Sequence, residues 1–121
     1  MKPKPTASEL AILNVLWRRK SGTVREIHSD CGGGYTTVLK MLQIMTDKGL
    51  VERDEAERAH VYRASLQREE TQGQLVGDLL DRVFGGSAAQ MVMQALSGRK
   101  ASRDEIAQIR QMLDRMEGGK K

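Results

Sequence analysis

The sequence predicts a mainly α-helical protein that contains one β-hairpin. Three segments have the Ser/Thr-x-x-Glu form of a capping box, in which a hydroxyl caps the helix start and the glutamate reaches back: Thr6–Glu9, Thr23–Glu26 and Ser102–Glu105. Apolar residues recur at helical spacing after each of them. Two short runs of strand-forming residues, 50–53 and 60–63, flank a charged connection and predict the hairpin.

Three predicted helices precede this hairpin. The first follows Thr6, and the second is short because glycines 32–34 break it. The third begins at Tyr35 and runs to about Lys48, before a glycine placed to end a helix. Three helices and a two-stranded hairpin in this order are typical of a winged helix-turn-helix domain, in which the hairpin is the wing.

The remainder of the chain predicts further helices, with breaks at Gly85-Gly86 and Ser97-Gly98. Their apolar stripes need a surface to cover, which the first sixty-odd residues are too small to supply. We therefore predict a winged-helix DNA-binding domain over 1–64 and a helical dimerisation region over 65–121, although the helices alternatively pack on their own domain. The predicted dimer contacts are Leu75, Leu79, Leu80, Val83, Ile106, Ile109 and Leu113.

The composition favours a nucleic-acid partner weakly. The chain has 121 residues, a formal net charge of +4 and an aromatic content of only 3%, which predicts a thin core of aliphatic side chains. Residues 1–64 hold 11 Lys/Arg against 8 Asp/Glu, and residues 65–121 hold 9 against 8. The positive surplus therefore lies mostly in the predicted winged-helix half, where a nucleic-acid contact is expected.

The third helix is the predicted reading element for double-stranded operator DNA. Val38, Leu39, Leu42 and Met45 form its inner stripe. Threonines near a helix start can bind phosphate, lysine reaches phosphate or a guanine edge, and glutamine can pair with adenine. The predicted contacts on this helix are Thr36, Thr37, Lys40 and Gln43. The alternative is that one of the threonines merely caps the helix and the lysine is solvated.

The hairpin supplies two further candidates, Arg58 and Arg63, because wings usually contact the DNA backbone and arginine is a phosphate ligand. The acidic residues Asp54, Glu55 and Glu57 lie among them and would repel phosphate, so a solvated hairpin is the alternative. Tyr62 is predicted to be a packing residue.

Motifs of catalysis are missing from the sequence, and we expect neither enzymatic activity nor a cofactor. There is no HExxH, nucleophile elbow or phosphate loop. His28 and the single cysteine, Cys31, are close enough to share a soft metal, which leaves metal sensing as a minor alternative. One cysteine and no long apolar run favour a cytoplasmic protein.

Several motifs resemble those of the BlaI/MecI penicillinase-repressor family. They are the Glu9-x-x-Ile12-Leu13-x-x-Leu16-Trp17 run, Thr23 to Ile27, Tyr35-Thr36-Thr37-Val38-Leu39, Lys48-Gly49-Leu50-Val51 and Tyr62. The resemblance covers nearly the whole chain. It implies a homodimeric winged-helix repressor that binds a palindromic operator of antibiotic-response or related operons.

The resemblance also implies a membrane sensor protease as a partner, with cleavage near Gln94-Ala95. Well-known members have an Asn-Phe pair there, and this chain does not. The turn from Cys31 to Gly34 is shorter than in most members, and the C-terminal cysteine cluster of the copper-responsive branch is missing. Besides a repressor, the sequence leaves open a winged-helix adaptor that binds protein, and a metal-responsive repressor.

Overall fold

The computed structural model describes residues 4–56 and 58–118. The elements follow one another as α1 (Ala7–Arg19), β1 (Gly22–Thr23), α2 (Val24–Cys31), α3 (Tyr35–Lys48), β2 (Val51–Asp54), β3 (Val61–Ala64), α4 (Arg68–Val83), α5 (Ala88–Gly98) and α6 (Arg103–Gly118). The predicted mainly α architecture, with three helices before a hairpin, is confirmed. Tertiary contacts divide the chain into two compact units, the first ending at Gly77 and the second beginning at Asp78.

Local capping signals explain where the helices begin and end. All three predicted capping boxes are present; in the first, Glu9 N–H donates to Thr6 Oγ1 at 3.2 Å and Thr6 N–H donates to Glu9 Oε1 at 2.9 Å. At the end of α3, Gly49 has a left-handed backbone with φ of 81°. Its N–H reaches back to Met45 and Thr46, as predicted for a terminating glycine.

The sheet has one more strand than the sequence predicts. Its order is β1-β3-β2, all antiparallel, with Gly22 opposite Tyr62 and Val51 opposite Ala64. A two-residue strand such as β1 has no periodicity to detect, because its conformation comes from pairing with a partner distant in sequence. The hairpin strands each begin one residue later than predicted.

The hydrophobic core lies within the first unit. The prediction that Tyr62 packs is confirmed, since it is only 1% exposed. Trp17 Nε1 donates to the carbonyl of Leu66 at 2.9 Å, and Thr71 in α4 is buried, so residues beyond 64 contribute to this unit. The buried apolar side chains are Ile12, Leu13, Val15, Leu16, Val24, Ile27, Val38, Leu42, Met45, Leu50, Val51, Tyr62 and Leu66.

The second unit contains the end of α4, then α5 and α6. No residue of α5 or α6 is buried. Gly85 and Gly86 both have positive φ and separate α4 from α5, as predicted. The predicted break at Ser97-Gly98 is wrong by one residue, because α5 continues through Gly98 and Arg99 N–H still bonds to Ala95. The sequence predicts fraying over 118–121, but this is wrong for Gly118, which is the last residue of α6. Residues 119–121 lie outside the described residues. None of the described helices meets the length and apolarity needed to cross a membrane.

Candidate nucleic-acid interface

Helix α3 has one face in the core and one in solvent. Val38, Leu42 and Met45 are buried, and Leu39 is partly buried. All four predicted reading residues are exposed on the other side: Thr36, Thr37, Lys40 and Gln43. Their spacing of three and four residues aligns them along the helix. The structure therefore brings these four side chains together on one polar surface, which also contains the exposed Ile44.

The start of α3 is held by backbone geometry instead of a side-chain cap. Its N-cap is Gly34, which has no side chain to cap the helix, so the alternative that Thr36 or Thr37 caps it is wrong. The preceding turn uses positive φ at Gly32 and Gly33. His28 Nε2 lies 2.7 Å from the Gly33 carbonyl, and the His28 ring meets the Tyr35 ring edge-on, with centroids 5.7 Å apart. Contacts of His28 therefore stabilise the α2–α3 turn at Gly33 and at Tyr35, where α3 begins.

The end of α3 is tied to the start of α1 by an ion pair. Lys48 Nζ lies 2.8 Å from Glu9 Oε2, and Glu9 is only 4% exposed. Burial by itself raises the pKa of Glu9, but the hydrogen bonds from Lys48 and Thr6 and the lysine charge outweigh it, so the pKa is lowered. Both residues occur in the sequence motifs, but they are 39 residues apart, so the sequence alone does not show that they pair.

A groove opens between α2, the start of α3 and the wing. Its cavity volume is about 810 Å³, and it places Arg58 beside Arg25, a residue that sequence reasoning missed. Arg25 occupies the first turn of α2, where only a tertiary structure shows its proximity to the hairpin. The groove is lined by Thr23, Val24, Arg25, Tyr35, Leu39, Arg58, Ala59, His60 and Tyr62.

The structure does not bring Arg63 into this groove with Arg58. Arg63 is the cross-strand partner of Glu52, and the two share a face of the hairpin. It lines a separate depression whose other walls are Glu52, Arg53, Asp54 and Glu55. Arg53 Nη2 is paired there with Glu55 Oε1 at 2.8 Å. Two of the acidic residues that complicated the sequence interpretation of the wing, Asp54 and Glu55, therefore lie around Arg63, whereas Glu57 lies outside the described residues.

The geometry of His28 and Cys31 does not favour a metal site. A carbonyl oxygen can only accept, so His28 Nε2 carries the proton in its contact with Gly33 and is not a free ligand. Burial and the charge of Asp30 raise the pKa of the Cys31 thiol, which opposes the thiolate that metals bind. No group of three or more His, Cys, Asp or Glu side chains with metal-binding geometry exists among residues 4–56 and 58–118.

Comparisons with known proteins identify a family and several relatives of this chain. The model of the penicillinase repressor family matches residues 5–115. The transcriptional regulator BlaI of Mycobacterium tuberculosis is 30% identical over 116 residues, covering 92% of this chain and 83% of that protein. The penicillinase repressor of Bacillus licheniformis is 24% identical, covering 98% of this chain and 96% of that protein.

Solved structures show the same fold. The B. licheniformis BlaI monomer in complex with the blaP half-operator matches with a TM-score of 0.51 and 22% identity, covering 58% of this chain and 93% of that one. A mutant MarR of Escherichia coli, complexed with operator DNA, matches with a TM-score of 0.53 and 18% identity, covering 93% of this chain and 75% of that one.

The winged helix-turn-helix fold and the exposed polar face of α3 define the class, a DNA-binding transcriptional repressor. The chain belongs to the penicillinase repressor family. The adaptor and the metal-responsive alternatives are not favoured.

Proposed function

We propose that this chain represses transcription as a homodimer that occupies a palindromic operator, with the exposed face of α3 reading the major groove. The observation that carries the proposal is the division of α3, whose polar side makes no core contact while its apolar side anchors it. The reading residues are Thr36, Thr37, Lys40 and Gln43, and Arg58 in the wing binds backbone phosphate. Arg63, in its acidic surroundings, stays a candidate from sequence.

The homodimer is proposed to form through the helices after residue 64, the predicted dimerisation region. None of the seven predicted contact residues is buried within one chain, and Leu79, Val83, Ile106 and Leu113 are between 39% and 63% exposed. Exposed apolar side chains at helical spacing are typical of surfaces that pair with a second copy. Two copies would present two reading helices to the two halves of one palindrome.

Derepression by a membrane sensor protease is proposed from family membership. Gln94 and Ala95, at the position of the family's cleavage site, are exposed but lie inside α5, so a protease would need to open that helix. We place the protein in the cytoplasm, where its DNA partner is, and expect no catalysis of its own.

Selection of duplexes from a random pool by the full chain tests the proposal. We expect the selected duplexes to share a palindrome whose half-sites lie about 34 Å apart, one helical turn. Binding that shows no sequence preference, together with a tight protein partner, would favour the adaptor instead.

Substitution of Lys40 tests the reading face on the selected duplex. Lys40→Ala should weaken binding by about 1–3 kcal/mol and relax the preference at one position if the lysine contacts a base. Lys100→Ala, which removes an exposed lysine between α5 and α6, is the matched control. Unchanged affinity in Lys40→Ala would remove this residue from the reading set.

A further inference from the structure

We propose that the groove between α2, α3 and the wing binds the sugar–phosphate backbone of one operator strand, and that Arg25 is a phosphate ligand there together with Arg58. The inference rests on the proposed function and adds to it a second contact surface and a residue with no previous role. These contacts would raise the affinity for DNA and position the protein on it, because backbone contacts carry no direct sequence information.

The lining of the groove matches the chemistry of a nucleic-acid backbone. Arg25, Arg58 and His60 supply cationic or hydrogen-bonding groups for phosphate, and Thr23 adds a hydroxyl. Leu39 and Tyr35 supply apolar surface that suits the faces of deoxyribose. A small anionic ligand would use the charges but leave this apolar surface unused.

Charge complementarity distinguishes this groove from the depression around Arg63. Among the described residues that line the groove, none is acidic. The depression around Arg63 is lined by three carboxylates and two arginines. Phosphate is therefore attracted to the first surface and largely repelled from the second.

The two groove arginines are available for a ligand. Glu26, next to Arg25 in sequence, accepts from Thr23 N–H at 2.9 Å and lies 3.6 Å from Arg19, so its carboxylate is engaged elsewhere. In the part of the chain that the structure describes, no ion pair involves Arg25 or Arg58. Glu55 Oε1 lies 3.9 Å from His60 Nε2, but Glu55 is itself paired with Arg53.

The experiment compares three charge-removing variants of the full chain: Arg25→Gln, Arg58→Gln and, as the matched control, Lys100→Gln, which removes an exposed lysine between α5 and α6. Affinity is measured from low to moderate salt on two probes, the duplex selected by the wild-type chain and a scrambled duplex of the same length. Arg25→Lys, which keeps the charge, tests whether charge alone is needed, and thermal unfolding verifies the fold of each variant.

We expect Arg25→Gln and Arg58→Gln each to weaken binding about tenfold. The slope of log affinity against log salt should fall by about one in each, equally on both probes, because one phosphate contact is lost. Arg25→Lys and Lys100→Gln should retain the wild-type slope. A wild-type slope in Arg25→Gln, or an equal loss in Lys100→Gln, overturns this inference alone. Failure of the wild-type chain to bind any duplex overturns the proposed function as well.

Discussion

The two units of this chain form helices by the same local signals but differ completely in what they bury. Every buried apolar side chain of the core lies in the first unit, whereas no apolar side chain among residues 78–118 is buried. Capping boxes with nearly identical geometry start α1 in the first unit and α6 in the second. The difference shows that local signals form a helix, but only tertiary partners bury its apolar face.

The largest expected effect tests the first unit. Leu42→Ala should lower the free energy of unfolding by about 2–5 kcal/mol, because a fully buried side chain leaves a cavity. Urea unfolding followed by the fluorescence of Trp17, the single tryptophan, measures it. Met112→Ala, whose side chain in α6 is 57% exposed, should leave this transition nearly unchanged. Equal losses in both variants would contradict the contrast between the units.

The next effect tests the exposed apolar face of the second unit. Leu113→Asp should raise the dissociation constant of the proposed homodimer about 100-fold, because pairing would bury a charge without a partner. Sedimentation velocity over a concentration series measures the change. Gln111→Ala, at another exposed position of α6, should pair like the wild type. If Leu113→Asp pairs as tightly as the wild type, this side chain has no part in the interface.

A smaller and pH-dependent effect is expected from the Glu9–Lys48 pair, a polar link that the structure shows in the first unit. Glu9→Gln should cost about 1–2 kcal/mol of stability at neutral pH, because a buried carboxylate loses its lysine partner, which is itself partly exposed. Since the folded-state pKa of Glu9 lies below the ordinary glutamate value of 4.5, its contribution is fully present above that pH.

The stabilisation by Glu9 is lost as the pH falls through the lowered folded-state pKa. The stability difference between the wild type and Glu9→Gln should therefore shrink on acidification, as measured by urea unfolding at pH values on both sides of 4.5. Glu105→Gln, which changes the exposed capping box of α6, is the control and should not alter the Trp17 transition. A difference that stays constant with pH would mean that the charge of Glu9 contributes nothing.

The smallest expected effects come from removing the capping side chains of α1 and α6. Thr6→Ala and Ser102→Ala should each cost about 1 kcal/mol or less of helix stability. Only Thr6→Ala should shift the Trp17 transition, whereas Ser102→Ala should change far-ultraviolet circular dichroism at the end of the chain. A shift of the Trp17 transition by Ser102→Ala would show that the two units unfold together.

The parts of the fold that depend on nearby residues could be predicted from the sequence. The start of α3 at Tyr35 follows from the glycine turn, and its end at Lys48 follows from Gly49. The strand β1 and the bond from Trp17 to Leu66 could not be predicted, because both depend on partners about 40 to 50 residues away.

The candidate site also has some features that the sequence predicts and others that only the structure shows. The exposed positions of α3 follow from helical periodicity, and the structure places all four predicted side chains on one face. Arg58 and Arg63 look equivalent in sequence, and only the structure separates their environments, because Arg58 lines the groove and Arg63 lines the acidic depression. Arg25 carried no sequence signal, because nothing near it along the chain points to the hairpin.

The division of α3 into a packing side and an open side also bears on how this protein can change over evolutionary time. Because the core depends on Val38, Leu42 and Met45, substitutions at Thr36, Thr37, Lys40 and Gln43 cost little folding energy. If the open side reads DNA as proposed, duplicated copies of the gene can thus acquire new DNA targets through single substitutions there while remaining stable. Lys48 is the exception on this helix, since its ion pair with Glu9 ties it to the fold.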